Sequence, residues 1–111
     1  MTDNATRLSD LNQGLEALMG DTPELEAFMG YVQSAEEPAA LDAKTKELMS
    51  LAIGVVIRCE PCILWHTDGS VEAGATREEI ADALKVAVVM GGGPALAYAS
   101  EAYQVAEEFL D

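Results

Sequence analysis

The chain has 111 residues, of which 50% are hydrophobic and only 5% aromatic, and it carries 20 acidic side chains against 6 basic ones. This length and composition predict one globular domain over residues 1–111, rich in helix, and exclude a disordered chain. The net charge of −14 excludes a nucleic-acid binder, which needs a basic surface, and disfavours binding to anionic membranes.

The first two predicted helices are marked by leucine spacing and by helix-start signals. Leucines recur at helical spacing over Leu8–Leu18, and Gly20 then favours a helix end. Thr22-Pro23-Glu24 combines a cap, a first-turn proline and a first-turn acid, which predicts a second helix to about Gln33. The segment Glu36-Glu37-Pro38 breaks this pattern.

The third predicted helix follows Asp42 as its cap and contains the uncharged run Leu48–Ile57. A helix that is apolar on all sides is buried on all sides, so this run indicates burial in an oligomer. A buried strand at Ala52–Ile57 is the alternative, because its residues are partly β-branched. We favour the helix, since the apolar run begins before this segment.

Three more helices complete an all-α prediction of about six helices. The fourth is predicted to begin near Cys59 and to end before Gly74. Thr76–Glu79 has the pattern of a capping box and opens the fifth. Gly91–Pro94 lacks the lysine and hydroxyl of a phosphate-binding loop, and it is predicted to separate the fifth helix from a sixth that runs towards Leu110.

No targeting or membrane segment is apparent in the sequence. Met1-Thr2-Asp3-Asn4 has neither a basic nor an apolar signal region, and the uncharged run Val86–Ser100 is short and interrupted. We therefore expect a cytoplasmic protein, in which a close cysteine pair is more often catalytic, redox-active or metal-binding than structural. The acidity indicates either a solvated surface or a cytoplasm of high salt.

One short stretch, CEPCILWH, contains the only two cysteines, Cys59 and Cys62, and the only histidine, His66. At about 100° per residue, these three side chains lie within roughly 60° of one helix face. Glu47 lies one helix earlier and reaches the same space if the two helices pack together.

Three interpretations of this stretch compete. A metal site of Cys59, Cys62, His66 and Glu47 is disfavoured, because three ligands lie on one helix and no second ligand pair follows. Two inert buried cysteines are disfavoured by the nearby histidine. A redox dithiol is favoured, because a helix start stabilises thiolate, His66 can accept a proton with Glu47 behind it, and the cysteines can close a disulfide. It requires no metal and no organic cofactor.

The pattern of Glu47, eleven residues, then Cys59-x-x-Cys62-x-x-x-His66 resembles the carboxymuconolactone decarboxylase family, in its alkylhydroperoxidase AhpD-like branch. The resemblance covers about residues 41–103 and continues through Gly74–Ile80 and Met90–Ala95. It implies an AhpD-like all-helical fold that assembles as a homotrimer or homohexamer, and a thiol-dependent peroxidase that acts as an antioxidant.

The resemblance also implies a role for each matched residue. Cys62 is the buried peroxide-reacting cysteine, and Cys59 is the more exposed resolving cysteine that meets an external thiol reductant. His66, through water, and Glu47 form the proton relay. The substrate is a hydroperoxide or a protein disulfide. A helix-dipole argument alone favours thiolate at Cys59 instead; we predict Cys62 as the peroxide-reacting residue.

The sequence departs from the family's peroxidases at Pro61, where those proteins carry a second histidine, so the implied relay has one member fewer. The decarboxylase branch acts on a lactone acid and typically lacks the cysteine pair, and the negative charge disfavours a dicarboxylate substrate. A non-enzymatic redox-sensing or scaffold oligomer and a metal-binding module remain as alternatives.

Overall fold

The computed structural model describes residues 3–110, which form five α-helices joined by short turns. The helices are α1 (Asn4–Asp21), α2 (Leu25–Glu36), α3 (Ala43–Val56), α4 (Glu60–Glu72) and α5 (Arg77–Leu110). No strand occurs within residues 3–110, so the all-helical prediction is confirmed and the alternative strand does not form. Met1 and Thr2, on which part of the localisation prediction depends, and Asp111 lie outside the described residues.

Local signals begin and end several helices as predicted. The Asp42 carboxylate accepts the Thr45 N–H of α3 at 2.7 Å. Thr76 and Glu79 form a reciprocal capping box at the start of α5, with nitrogen–oxygen distances of 2.9 and 3.1 Å. Gly74 follows α4 with a φ of 90°, the left-handed conformation that favours glycine after a helix.

Thr22 has a different role from the one predicted. Its hydroxyl donates to the Leu18 carbonyl at 2.7 Å and so caps the end of α1. α2 begins later, at Leu25, and Glu24 before it makes no side-chain cap. The prediction was wrong because a threonine between two helices can satisfy either end, and here the free carbonyls of α1 are its partners.

The predicted break between the fifth and sixth helices lies within α5, which consists of two helical segments that meet at a kink. The backbone leaves the helical conformation at Gly92, with φ 68° and ψ −152°, and Pro94 follows in the second segment. α5 is long and apolar enough to cross a membrane by length and composition, a property that it shares with core helices of soluble proteins. Its buried residues, such as Ile80 and Ala102, belong to the core of this fold.

The core lies between α3, α4 and α5, which pack against one another. Leu51 and Val55 of α3 and Ile63 of α4 are buried there. α1 and α2 carry no buried residue and lie outside this three-helix core. The Trp65 indole N–H donates to the Asn12 side chain at 2.7 Å and links α4 to α1.

One side of α3 stays exposed in the single chain. Met49, Ile53 and Ile57 recur every four residues along it and are 48%, 57% and 62% exposed. We call these three residues the α3 apolar stripe. The uncharged run of α3 is therefore buried on one side only within the single chain, whereas the sequence predicted burial on all sides.

Candidate active site at the start of α4

Cys59 lies in the short connection between α3 and α4, directly before the first residue of α4. Its N–H donates to the Gly54 carbonyl of α3 at 2.9 Å, and its sulfur accepts the Cys62 N–H at 3.2 Å. Arg58, directly before it, has a φ of 59°, which is uncommon for a residue other than glycine. Cys59 was predicted on the helix but is its N-cap, one residue before Glu60. The end of one helix and the start of the next thus both fix its position.

Cys59 and Cys62 are joined in a disulfide, with their Cα atoms 5.2 Å apart. Both cysteines are half-buried in this oxidised state. Gly54 of α3 faces the second cysteine so closely that a Cβ at this position would lie 3.1 Å from the Cβ of Cys62. The absence of a side chain at Gly54 therefore lets α3 approach the turn that carries the disulfide.

Glu47 of α3 and His66 of α4 face each other beside the disulfide-bearing turn. Nδ1 of His66 lies 3.3 Å from Oε1 of Glu47, and the side chains are 24% and 19% exposed. Gly69, one turn after His66, leaves room for this contact, because a Cβ there would overlap the Glu47 carboxylate. When one ring nitrogen of an imidazole contacts a carboxylate, the other ring nitrogen can accept or donate a proton.

A third polar side chain, Glu36, reaches the same place from the end of α2. Its Oε1 accepts the Ser50 hydroxyl at 2.9 Å, whereas its Oε2 is buried and has no hydrogen-bond partner among the described residues. Donor atoms of Glu36, Glu47 and His66 all lie within 4.8 Å of one another. We call these three residues the carboxylate–histidine cluster.

The sequence interpretation missed Glu36 and Gly69. Glu36 was considered only as part of a helix break, and no local signal reveals that the end of α2 folds over α3. Gly69 did carry a signal, because a glycine inside a helix marks a close approach of another group.

The surroundings of the cluster are negative. Burial raises the pKa of the Asp68 carboxyl above its ordinary value, and the nearby charges of Glu72 and Glu47 raise it further. Arg7 of α1 faces Glu60 at 3.8 Å and forms no ion pair with the cluster. The site therefore attracts cations and neutral molecules more readily than anions.

The structure brings the four predicted site residues together in two pairs. Cys59 is bonded to Cys62, and Glu47 contacts His66. Cys62 and His66 are four residues apart on α4 and so share one side of it. The four-ligand metal set considered from the sequence does not form in this oxidised state, because the two sulfurs are bonded to each other. Within residues 3–110, metal-ligand spacing is found instead in the carboxylate–histidine cluster, which includes Glu36.

Sequence comparisons identify relatives over most of the chain. The model of the carboxymuconolactone decarboxylase family matches residues 23–105. An uncharacterised protein from Cupriavidus necator is 39% identical over 102 residues, which cover 91% of this chain and 90% of the relative. An uncharacterised protein of the cox locus of Paracoccus denitrificans is 37% identical over 83 residues, or 75% of each chain.

Structural comparisons agree with the sequence matches. The apo form of a carboxymuconolactone decarboxylase family protein from Legionella pneumophila has a TM-score of 0.92 at 40% identity, with 97% of both chains covered. A protein of the same family from Thermotoga maritima has a TM-score of 0.84 at 33% identity over 92% of this chain and 88% of that one, and its description suggests a part in antioxidative response. The similarity now includes the N-terminal helices, beyond the motif region. This chain belongs to the carboxymuconolactone decarboxylase family.

Proposed function

We propose that the protein is a thiol-dependent peroxidase and disulfide oxidoreductase of the AhpD-like branch of this family. The observation that carries the proposal is the disulfide between Cys59 and Cys62 at the start of α4, with the paired His66 and Glu47 beside it. A dithiol that closes such a bond can pass two electrons to a peroxide and recover them from an external thiol. The suggested antioxidative part of the Thermotoga maritima relative supports this proposal.

The proposed cycle has three steps. The Cys62 thiolate attacks one oxygen of the hydroperoxide, the O–O bond breaks, and the leaving oxygen takes a proton to become an alcohol while the sulfur becomes a sulfenic acid. The Cys59 thiol attacks this sulfur, which forms the disulfide and releases water. An external dithiol then reduces the disulfide and is itself oxidised to a disulfide. Each cycle consumes one hydroperoxide and one external dithiol.

We assign the movement of protons to His66 and Glu47. His66 takes the proton of the Cys62 thiol, directly or through water, and returns it to the leaving oxygen. Glu47 orients the imidazole during this transfer. Pro61 lies exposed in the first turn of α4 and offers no group that could take part.

Cys59 suits the resolving role. The sulfur lies at the N-terminus of α4, where the Cys62 N–H and the helix dipole stabilise a thiolate in the reduced protein. This thiolate is positioned to attack a sulfenic acid three residues away. Cys62 is assigned the first step because it lies four residues, about one helical turn, from His66, whereas Cys59 lies two turns away.

A neutral hydroperoxide also suits the electrostatics of the chain, since its net charge of −14 repels anionic substrates. We propose the cytoplasm as the compartment, because its thiol pool keeps cysteine pairs reduced.

The decisive experiment measures consumption of tert-butyl hydroperoxide with dithiothreitol as the reductant. We expect Cys62→Ser to abolish turnover. Cys59→Ser serves as the matched control, because it should still react once with peroxide and yield a sulfenic acid that dimedone traps on Cys62. Full turnover by Cys62→Ser, or sulfenic acid trapped on Cys59 in that variant, would refute the assignment.

A redox-sensing oligomer is the second candidate, and one observation favours it. The α3 apolar stripe ends at Ile57, two residues before Cys59. A change in the redox state of Cys59 would therefore occur beside an exposed apolar surface. A protein whose dithiol oxidises once without turnover, and whose assembly changes with that oxidation, would support this candidate over the enzyme.

A further inference from the structure

The carboxylate–histidine cluster gathers donor atoms from three helices at one point. Glu36 comes from the end of α2, Glu47 from α3 and His66 from α4, and their donor atoms lie within 4.8 Å of one another. The end of α2 is held in place by Lys46, whose ammonium group donates to the carbonyls of Ala35 and Glu37, at 2.9 and 2.6 Å. The position of Glu36 is therefore built into the fold.

The two carboxylates of the cluster form no ion pair with a lysine or arginine of the described residues. Oε2 of Glu36 is buried and accepts no hydrogen bond within residues 3–110, although buried carboxylate oxygens normally have a partner. Two half-buried carboxylates at this distance repel each other unless one takes up a proton or a cation lies between them.

We propose that Glu36, Glu47 and His66 bind a divalent transition-metal ion of the Zn²⁺ class. Two carboxylate oxygens and one imidazole nitrogen form a mixed donor set that such ions accept, and the imidazole favours them over Mg²⁺ or Ca²⁺. Ligand atoms of a tetrahedral Zn²⁺ site lie about 3.4 Å apart, and the flexible glutamate side chains can close the difference from the observed spacing. Water completes the coordination.

This site differs from a cysteine-based metal site because it contains no sulfur. Cys59 and Cys62 are bonded to each other and are not needed as ligands. The metal ion can therefore bind the oxidised protein. The consequence for catalysis rests on the proposed function: a metal ion on Glu47 and His66 prevents the imidazole from moving protons, so Zn²⁺ inhibits peroxide turnover.

The test uses the full chain in its oxidised form. Isothermal titration with Zn²⁺ should show one ion per chain. Co²⁺ should produce visible d–d bands without the intense near-ultraviolet band of cobalt–thiolate bonds, both before and after the disulfide is reduced. Glu36→Gln should weaken Zn²⁺ binding by about tenfold or more, whereas Glu37→Gln, which removes the same charge from the exposed neighbouring residue, should leave it unchanged.

Three outcomes of these experiments would overturn the inference. Absence of Zn²⁺ binding to the oxidised chain, binding that requires reduced cysteines, or equal binding by Glu36→Gln and Glu37→Gln would each refute the site. Hydroperoxide turnover in the presence of a chelator tests the proposed function separately. A chain that turns over peroxide but binds no Zn²⁺ retains its proposed function and loses only this site.

Discussion

Gly69 lacks the atom that would push Glu47 away from His66. We expect Gly69→Ala to displace the Glu47 carboxylate and to lower peroxide turnover by about tenfold or more, since an oriented proton acceptor contributes at least that much. The fold should persist, because the group that must move is the end of a flexible side chain and alanine favours a helix by about 1 kcal/mol.

The matched control for this prediction is Gly14→Ala in α1, where a Cβ meets nothing within 4 Å. It should stabilise the protein by up to about 1 kcal/mol and leave turnover unchanged. Urea unfolding and the dithiothreitol-coupled assay measure the two effects. Unchanged turnover in Gly69→Ala would show that the contact between Glu47 and His66 plays no part.

Asp68 gives a pH dependence with a defined sign. Its pKa is raised by burial, then by Glu72 and Glu47, so the folded chain holds this proton more tightly than the unfolded chain. The ionised carboxylate therefore destabilises the fold at neutral pH, and this cost is relieved as the pH falls through the raised pKa. Asp68→Asn should increase the free energy of unfolding at about pH 7 and lose this advantage at about pH 4.

Asp10→Asn, which removes the same charge from an exposed residue of α1, controls for the general effect of net charge. Urea unfolding at both pH values compares the two variants. An equal gain from both at neutral pH would contradict a specific role of the surroundings of Asp68.

At the scale of residues, the sequence predicted the groups that are close along the chain and the family motif. The spacing of Cys59, Cys62 and His66 within one helix start was sufficient to place them together, and Glu47 was expected to reach them if the two helices packed together. Glu36 could not be predicted, because its approach depends on how α2 turns back over α3, which no local pattern encodes.

At the scale of helices, the junction between α3 and α4 contains the one described residue other than glycine with a positive φ, Arg58 at 59°. This conformation costs a residue with a side chain about 1–2 kcal/mol. Glycine avoids this cost, but its greater freedom in the unfolded chain cancels part of the gain in stability. We expect Arg58→Gly to increase the free energy of unfolding by up to about 1 kcal/mol and Arg58→Val to decrease it, as urea unfolding would show. A glycine variant no more stable than the valine variant would contradict the assigned strain.

The helix boundaries that were predicted correctly are those with a chemical signal of their own. Each of these signals acts within a few residues, so its effect can be predicted from the sequence; they are Asp42, the Thr76–Glu79 box and Gly74. The boundary at Thr22 was wrong because two helix ends compete for one hydroxyl. The predicted break at Gly91–Pro94 also occurs, because the positive φ of Gly92 takes the backbone out of the helical conformation within α5.

At the scale of the molecule, the exposed apolar side chains indicate an assembly. The α3 apolar stripe is 48–62% exposed, and Val89 and Met90 of α5 are 77% and 75% exposed. Apolar surface of this kind typically marks a contact with another chain. We propose that copies of the chain associate through it as a homotrimer or homohexamer.

We expect Ile53→Glu to dissociate this assembly, because it places a charge in the middle of the α3 apolar stripe. Gln33→Glu, on the exposed side of α2, adds the same charge and should leave the assembly intact. Salt should strengthen the assembly of chains that each carry a net charge of −14, since it screens their repulsion. Sedimentation velocity measures both effects, and a monomeric wild-type protein at high salt would refute the proposal.

The double attachment of Cys59 has a consequence for the motions that accompany the redox cycle. Its N–H bond to Gly54 involves no atom of the disulfide, and its sulfur can keep the Cys62 N–H as a partner when the S–S bond opens if the Cys62 side chain is the one that rotates. Opening the disulfide therefore requires rotation of a side chain and no local unfolding. We expect the backbone amides of residues 59–66, apart from Pro61, which has none, to exchange with deuterium at similar slow rates in both redox states, as mass spectrometry can measure. Fast exchange after reduction would mean that the disulfide itself holds this turn together.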